Sequence, residues 1–232
     1  MLLFEDPRLG EIHRLLLAFY GKPPERLVWD PLKQFIYSLL SSRTKTEVTF
    51  EVVEHLESHF GSWEKLRDAP VAEIEESIHP ITFPEKKALH LKQALEQITQ
   101  RCGALSLDFL HAYRTDKIRA WLERFDGVGS KTSGAVVNFS SLRRRALCVD
   151  SHHLRVAERL GFVPKGADAR ETETRLMEMA PTDWSPLMLD EHHTLIKIHG
   201  QQTCRLHHPL CRKCPLLNLC PEGHASREAR HG

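Results

Sequence analysis

The chain has 232 residues, of which 41% are hydrophobic and 27% are charged, and its formal net charge at pH 7 is +1. This length can bury one large hydrophobic core or two small ones, and the small net charge does not argue for a strongly basic nucleic-acid binder. No apolar stretch approaches the length of a membrane span and no signal peptide opens the sequence, so we expect a soluble protein of the cell interior without a membrane partner.

Apolar residues recur at helical spacing along most of the chain, and breaks that contain proline separate the helical stretches. No useful length of sequence alternates between apolar and polar residues as a strand does, and we find no internal repeat. The spacing predicts helices over residues 12–20, 32–40, 48–60, 85–98, 117–125, 132–139 and 151–160. The sequence therefore predicts an all-α fold, followed by a short polar tail at 223–232 that frays.

A glycine-containing turn separates the helices predicted over 117–125 and 132–139. Gly127 and Gly129 allow a tight turn with positive φ and a close backbone approach. The N–H groups of such a turn, including those of Val128 and Ser130 at a helix N-terminus, suit a phosphate oxygen. The alternative is an ordinary turn between two helices.

Lys131 and Asp150 are the candidate catalytic residues. Lys131 falls in the first turn of a predicted helix, where the partial positive charge of the helix end disfavours a second positive charge. A neutral amine is what nucleophilic attack requires, although most surface lysines are inert. Asp150 precedes the helix over 151–160 and is predicted to cap its N-terminus. Such a carboxylate stays ionised and can also stabilise positive charge on a substrate.

Four cysteines close to the C-terminus have the spacing of a metal site. The gaps between Cys204, Cys211, Cys214 and Cys220 are six, two and five residues. A zinc site usually pairs two tight Cys-x-x-Cys steps, whereas one tight step with wider arms favours an iron–sulfur cluster. Zinc, disulfides and free thiols stay open as alternatives. Cys102 and Cys148 are expected to be buried thiols.

Four blocks of the sequence resemble the endonuclease III family of DNA-repair glycosylases. The cysteine spacing and the preceding segment HHTLIKIHG at 192–200 are similar to the segment of that family that binds a 4Fe-4S cluster. FDGVGSKT at 125–132 looks like its helix-hairpin-helix signature, CVDSHHLRV at 148–156 like its catalytic aspartate segment, and LLSSRTKT at 39–46 like its first DNA-facing loop. The blocks follow the family's order and span about residues 34 to 220.

The resemblance implies two helical domains with a DNA-binding cleft between them. One is a six-helix domain, 30–142, that ends in the helix-hairpin-helix motif. The other combines 1–29 with 143–222 and carries the 4Fe-4S cluster loop. The resemblance also implies a monomer in the cytoplasm of a bacterial or archaeal cell, associated with the nucleoid.

The implied function is that of a base-excision-repair DNA glycosylase with abasic-site lyase activity. Lys131 would form a Schiff base with C1′ of the damaged nucleotide, and Asp150 would assist. The substrate would be an oxidised pyrimidine, such as thymine glycol, in double-stranded DNA. The residues expected to contact DNA are Gly127, Val128, Gly129, Ser130, Arg43, Phe83, His152 and Arg205.

Several positions depart from the family pattern in the loops that inspect a base. Arg43 stands where a glutamine is usual, Thr46 where an acid is usual, and Asp126 where a proline is usual. In the second loop Thr82 replaces a glycine and Phe83 replaces a leucine wedge, with core packing as the alternative for Phe83. We therefore expect the chemistry to be retained, while the lesion preference stays open.

Three other functions fit the same residues. The first is an abasic-site lyase with weak or altered glycosylase activity. The second is a non-catalytic DNA-binding iron–sulfur protein, which would not depend on Lys131. The third is a zinc-containing interaction module, which would be colourless.

Overall fold

All the regular secondary structure of the described residues is helical. The computed structural model describes residues 7–228, and these contain no β-strand. Three short 3₁₀ helices cover Asp108–Ala112, Cys211–Lys213 and Leu217–Leu219. In the same part of the chain, no helix is both long enough and apolar enough to span a bilayer. The α-helices of the described residues are α1 (Arg8–Tyr20), α2 (Pro31–Leu40), α3 (Thr46–Phe60), α4 (Trp63–Asp68), α5 (Val71–Ser77), α6 (Pro84–Cys102), α7 (Thr115–Leu122), α8 (Ser130–Phe139), α9 (Ser151–Arg159), α10 (Ala169–Met179), α11 (Pro186–Gln202) and α12 (Pro221–Glu228).

One compact unit is contiguous and runs from Leu27 to Arg143. It contains α2 to α8, with α2 packed against α8 and both α4 and α5 packed against α6. Asp30 begins α2 by accepting hydrogen bonds from the backbone N–H groups of the first turn, which is the usual role of an N-cap aspartate. Phe35 of α2 is fully buried and its ring meets that of Phe125 at 5.6 Å. The core of this unit therefore lies directly beneath the turn between α7 and α8.

The second compact unit is assembled from both ends of the chain. It combines the described residues up to Arg26 with those from Arg144 onward. The helix α11 packs against α9 and α1, and α10 packs against α1 and α9. Leu9, Ile12 and Leu16 of α1 are fully buried in this core together with Leu195 of α11. A helix from the start of the chain thus completes a core made by its later helices.

The helices predicted from apolar spacing are all present, and the all-α fold is confirmed. Several helix ends differ from expectation, and the apolar spacing did not predict α4, α5, α10 or α11. The helix α7 ends at Leu122 rather than 125, since the chain already turns there. The contiguous unit has seven α-helices rather than six, because α4 and α5 are short separate helices.

The predicted frayed tail is also different in the structure. Residues from Pro221 to Glu228 form α12, which packs against α9, so the first part of the predicted tail is helical. Pro221 at the helix start is well placed, because proline lacks only an N–H that the first turn leaves without a helical partner. The rest of the predicted tail, 229–232, lies outside the described residues.

Candidate functional site

The turn between α7 and α8 requires glycine at one of its two glycine positions. Gly127 has φ of +80°, and a Cβ atom there would lie 2.8 Å from Nδ1 of His90 and 3.3 Å from Cδ1 of Leu39. Gly129 is extended, with φ of −110° and ψ of −167°, and a Cβ atom there would meet nothing within 4 Å. The expectation of positive φ is therefore right for Gly127 and wrong for Gly129. Gly129 is the N-cap residue of α8, and its backbone is exposed.

The two other residues of this turn, Val128 and Ser130, make contacts within the protein. The side chain of Val128 is buried, with 7% exposure, and its N–H donates to the Phe125 carbonyl at 3.1 Å. Ser130 begins α8, and its hydroxyl accepts a hydrogen bond from Arg119 at 2.9 Å. Because the side chain is buried and the N–H is already bonded, Val128 can contact a phosphate only if its N–H shares or changes its partner.

Lys131 lies in the first turn of α8, half-buried, with its amine fixed by a hydroxyl group. Its Nζ donates to Oγ of Ser41 at 2.9 Å. Ser41 is the C-cap residue of α2, and its own hydroxyl donates to the Ser38 carbonyl at 2.9 Å. The amine is thus held at a defined place relative to α2 and α8, the two helices that pack closely in this unit.

The two predicted base-inspecting loops are joined to each other. The Thr82 hydroxyl donates to the Arg43 carbonyl at 2.8 Å, and the Thr82 N–H donates to the Thr44 hydroxyl at 3.1 Å. The Arg43 guanidinium lies 5.8 Å from the centroid of the Phe83 ring. A glycine at position 82 could not donate the first of these hydrogen bonds, so the departure from the family pattern has a structural role.

Arg43 and Phe83 are exposed and share an unusual backbone conformation. Their φ angles are +56° and +59°, in the left-handed region that non-glycine residues rarely adopt. Phe83 is 46% exposed, so the alternative that it packs in the core is wrong. Strained residues of this kind cluster at sites that bind or switch, which supports a binding role for this pair.

Lys87 is a buried residue of this region that sequence reasoning missed. It is 6% exposed, and its Nζ donates to the carbonyl groups of Leu40 and Ser42, each at 2.7 Å. The sequence signal for its burial is its position on α6, four residues before Leu91 and on the same apolar stripe of that helix. A lysine there must either reach solvent or find buried acceptors.

Asp150 caps α9, as predicted. Its Oδ1 accepts hydrogen bonds from the N–H groups of His152 and His153, both at 2.9 Å. Burial by itself would raise the pKa of Asp150, but His193, His153 and the His153 N–H lower it to about 2. Since burial lowers the pKa of His193 to about 4 and that of His153 to about 3, both are neutral at pH 7. The backbone donors and the helix end then keep the carboxylate ionised.

The histidines around Asp150 are a second group that the sequence did not reveal. His193 of α11 has Nδ1 2.7 Å from the Cys148 carbonyl, and its ring stacks on that of His153 at 5.5 Å. The His153 ring also meets that of His192 at 5.7 Å. Neither ring nitrogen of His153 or His192 has a hydrogen-bond partner among the described residues. Their burial was not readable from sequence, because histidine is common both in cores and on surfaces.

His152 lies beside Asp150, half-buried at the junction of α9 and α11. Its Nδ1 is 3.0 Å from Nη2 of Arg155, which also donates to the Gly200 carbonyl at 2.7 Å. A Cβ atom at Gly200 would lie 2.7 Å from that of His152. Gly200 therefore permits the close packing of the two helices that orients His152.

The four C-terminal cysteines line one pocket. Cys204, Cys211, Cys214 and Cys220 are all half-buried around about 450 Å³ of empty volume that opens to solvent. Burial, and then the charges of the other three thiols, raise the pKa of Cys214 to about 11. As placed, no three His, Cys, Asp or Glu side chains of residues 7–228 could hold a single metal ion.

Arginine side chains from α9 lie against the cysteine pocket. Arg159 Nη1 is 3.3 Å from Sγ of Cys204 and donates to the Arg205 carbonyl at 2.7 Å. Arg155 Nε donates to the Cys204 carbonyl at 2.9 Å. Four thiols that line one pocket, with a guanidinium beside one sulfur, have the chemistry to hold an anionic group through thiolates. Arg205 itself is exposed, with its Nε donating to the Gln202 carbonyl at 3.0 Å.

The other two cysteines lie apart from this pocket. Cys148 is buried, as expected, whereas Cys102 at the end of α6 is only half-buried. Neither is among the residues that line the pocket. The four cysteines that the spacing singled out are therefore the ones that share the pocket.

The predicted site residues divide between the two compact units. Arg43, Phe83, Gly127 to Ser130 and Lys131 belong to the contiguous unit, where Ser41 and the segment after α2 connect the lysine with the two loops. Asp150, His152, Arg205 and the four cysteines belong to the other unit. There α9 carries the aspartate cap at its start and the arginine beside the cysteines at its end.

Comparisons with known proteins identify the family of the chain. A model of the HhH-GPD superfamily of base excision DNA repair proteins matches residues 36–182. Endonuclease III of Bacillus subtilis is 29% identical over 195 residues, which cover 84% of this chain and 82% of that protein. The DNA glycosylase/AP lyase ROS1 of Arabidopsis thaliana is 28% identical over 205 residues, 83% of this chain, which spans only 14% of that longer protein.

The solved structures that resemble this chain include endonuclease III itself. A non-covalent complex of endonuclease III with DNA has a TM-score of 0.76 and 25% sequence identity, and the match covers 95% of this chain and 97% of that chain. The family model and these likenesses, taken with the hairpin turn and its lysine, show that the chain belongs to the HhH-GPD superfamily of base excision DNA repair proteins and, within it, to the endonuclease III family.

Proposed function

We propose that this protein is a DNA glycosylase with abasic-site lyase activity that acts as a monomer on damaged bases in double-stranded DNA. The observation that carries the proposal is the placement of Lys131. Its amine lies in the first turn of α8, four residues after the positive-φ Gly127, and is held by the Ser41 hydroxyl. A lysine fixed beside a turn suited to phosphate is what covalent catalysis on a DNA sugar requires.

The proposed reaction passes through a covalent bond to Lys131. Its unprotonated Nζ attacks C1′ of the damaged nucleotide, and the bond from C1′ to the base breaks, with the electron pair and a proton leaving on the base. Opening of the sugar ring gives an imine between C1′ and Nζ. Loss of a proton from C2′ then expels the 3′ phosphate, which takes the electron pair of the C3′–O bond and nicks the strand.

Asp150 supplies a carboxylate that stays ionised. With its pKa lowered to about 2, it stabilises the positive charge that develops on the sugar and assists the proton transfers. Its two backbone hydrogen bonds use one oxygen, Oδ1. We propose that Asp150 has two roles: through Oδ1 it caps the N-terminus of α9, and its carboxylate takes part in the reaction.

The proposed substrate is an oxidised pyrimidine of the thymine glycol type. A base must leave the helix before it can react, which costs a few kcal/mol. The exposed Phe83 ring stacks into the gap, and the Arg43 guanidinium beside it bonds to the unpaired opposite base. The backbone at Gly127, Val128, Gly129 and Ser130, together with the side chains of His152 and Arg205, holds the phosphates.

The residues proposed to hold a 4Fe-4S cluster are Cys204, Cys211, Cys214 and Cys220. Their spacing, their common pocket and the guanidinium of Arg159 against Cys204 support this assignment. When bound, the cluster supplies cross-links that hold the loop together rather than electron transfer. Zinc in its place would leave the purified protein colourless.

Borohydride trapping on duplex DNA with an abasic site tests the proposed lyase. Reduction of the imine fixes a covalent adduct, so wild-type protein is expected to form one and Lys131→Ala none. Lys117→Ala is the matched control, because it removes another lysine of the same unit that is exposed on α7. Adduct yield is read on a denaturing gel.

The same experiment separates the competing functions. If folded protein with its cysteine site loaded gives no adduct, the lyase is wrong and a monofunctional glycosylase or a DNA-binding protein takes its place. If the adduct forms but duplexes with thymine glycol are not cleaved, the protein is a lyase with altered glycosylase activity. An undiminished adduct with Lys131→Ala would assign the nucleophile to another residue.

A further inference from the structure

Lys87 makes the most extensive buried polar contacts around the segment that follows α2. Its Nζ donates to the carbonyl groups of Leu40 and Ser42, each at 2.7 Å, and to the Thr44 hydroxyl at 3.3 Å. The carbonyl of Leu40 is at the C-terminal end of α2, where partial negative charge favours a cation. An ammonium group has three N–H donors, and here each has an acceptor.

The segment that Lys87 holds is the one that holds Lys131. Ser41 lies between the two carbonyl groups bonded to Lys87, and its hydroxyl accepts the hydrogen bond from Nζ of Lys131 at 2.9 Å. Thr44 also accepts from the N–H of Thr82, which fixes the second base-inspecting loop. Residues 40 to 44 thus connect the lysine on α8, the loop of Arg43 and the loop of Phe83.

The two lysine amines are also close enough to interact electrically. Burial, and then the positive charge of Lys131, lower the pKa of Lys87 to about 8. This cost of burying a charge is offset by the three hydrogen bonds that Lys87 makes. An apolar side chain at this position would fill the core with a smaller desolvation penalty than a lysine. The hydrogen bonds of Lys87 therefore indicate a role other than packing.

We propose that Lys87 is a positioning residue for the reaction at Lys131, acting through the segment from Leu40 to Thr44 and through Ser41. This inference rests on the proposed function, since it assumes that Lys131 is the nucleophile. Misplacing a reacting group by about 1 Å can cost roughly 100-fold in rate. Removing Lys87 would shift Ser41, and the hydrogen bond between Ser41 and Lys131 would pass this shift to the Lys131 amine.

Lys87→Met tests the proposal, because methionine keeps the length of the side chain and removes its donors. The rate constant for borohydride trapping at saturating abasic DNA is expected to fall roughly 10- to 100-fold. Ser41→Ala is expected to slow trapping as well. In the double variant the two losses should not multiply, because both act on the same hydrogen-bonded path to Lys131.

Lys92→Met is the matched control. Lys92 lies on the same helix, and its Nζ donates to the carbonyl groups of Arg67 and Ala69 at 2.6 Å and 2.9 Å. Removing it costs hydrogen bonds of the same kind without touching the segment that holds Lys131. We expect Lys92→Met to trap at the wild-type rate even where urea unfolding shows a similar loss of stability.

The outcomes distinguish this inference from the proposed function. Absence of an adduct with wild-type protein removes the lyase itself. Wild-type trapping with equal rates for Lys87→Met and Lys92→Met, or losses that multiply in the double variant, would overturn the role of Lys87 alone. If Lys87→Met does not fold, Thr44→Val removes an acceptor that Lys87 shares with the Thr82 N–H, and Thr82→Val loosens the same loop without touching Lys87. Slower trapping by Thr44→Val than by Thr82→Val supports the proposal, and equal rates contradict it.

Discussion

Gly127 and Gly129 lie two residues apart in the same turn and have different physical requirements. Gly127 combines positive φ with two close side-chain neighbours, so both its backbone and the absence of a Cβ atom matter. Gly129 has an ordinary extended backbone and open space around it. In sequence the two are equivalent, and only the structure tells which one the fold needs and which one is free to serve a ligand.

Gly127→Ala should destabilise the protein by about 1–3 kcal/mol, because alanine is strained at positive φ and its Cβ would press on His90. Gly129→Ala should change stability by less than about 0.5 kcal/mol. Urea unfolding of the two variants measures the difference.

The affinity for duplex DNA with an abasic-site analogue tests whether the Gly129 backbone contacts a phosphate. Gly129→Ala is expected to weaken binding although its stability is unchanged, because a methyl group would stand between the backbone and a phosphate. Wild-type affinity for Gly129→Ala would remove Gly129 from the proposed DNA contacts. Equal stability of the two variants would show that the Gly127 conformation is not required.

At the scale of elements, the segment from Cys204 to Cys220 has little regular structure of its own. It contains two 3₁₀ helices of three residues each, and its cysteines lie against α9 through Arg159. Such a segment makes few of the repeating hydrogen bonds that stabilise a long helix. We therefore expect its stability to depend on the proposed cluster.

Cys211→Ser should remove the brown colour of a cluster and lower the midpoint of thermal unfolding, because one of four ligands is lost. Visible absorbance and a thermal melt measure both effects. Cys102→Ser is the control, since Cys102 is a half-buried thiol of the other unit. Unchanged colour and melting in Cys211→Ser would exclude Cys211 as a ligand.

The elements show which parts of the molecule the sequence could predict. Apolar spacing located α1, α2, α3 and α6, because each buries one long face in a core. It did not predict α4 or α5, which are too short for a clear period. The N-cap role of Asp150 was readable because capping depends on near neighbours.

Long-range contacts set the limit of the sequence prediction. The burial of Lys87 depends on carbonyl groups more than forty residues away in the chain, and the pairing of Arg43 with Thr82 spans a similar distance. No local pattern encodes such contacts. The lysine, aspartate and cysteines were found through motifs, whereas the groups that hold them required the fold.

At the scale of the whole molecule, buried histidines tie stability to pH. Burial lowers the pKa of His192 well below 6.5, that of His193 to about 4 and that of His153 to about 3. In the unfolded chain each has a pKa of about 6.5. As the pH falls below about 6.5, the unfolded state binds protons that the folded state does not bind, so the free energy of unfolding decreases. Above that pH these groups contribute no pH dependence.

His192→Leu should weaken this pH dependence. One such histidine contributes about 1.4 kcal/mol per pH unit below about 6.5, so between pH 7 and pH 5.5 the variant should lose roughly 1 kcal/mol less than wild type. Urea unfolding followed by tryptophan fluorescence at the two pH values measures this difference. The lowered pKa of Asp150, about 2, places its own loss of stability at lower pH than this window.

His79→Leu provides the comparison for this measurement, since His79 is exposed on the other unit. An equal loss of stability in wild type and His192→Leu would show that His192 accepts a proton in the folded state. If His79→Leu altered the pH dependence as much as His192→Leu does, burial would not be its cause.

The second unit, made from both ends of the chain, also constrains the order in which a nascent protein can mature. The helix α1 leaves the ribosome early, but Leu9, Ile12 and Leu16 find their partners on α10 and α11 only after the whole contiguous unit has been translated. At about 5–20 residues per second this interval is roughly ten to thirty seconds. During it the contiguous unit can fold, whereas the apolar face of α1 stays exposed to solvent.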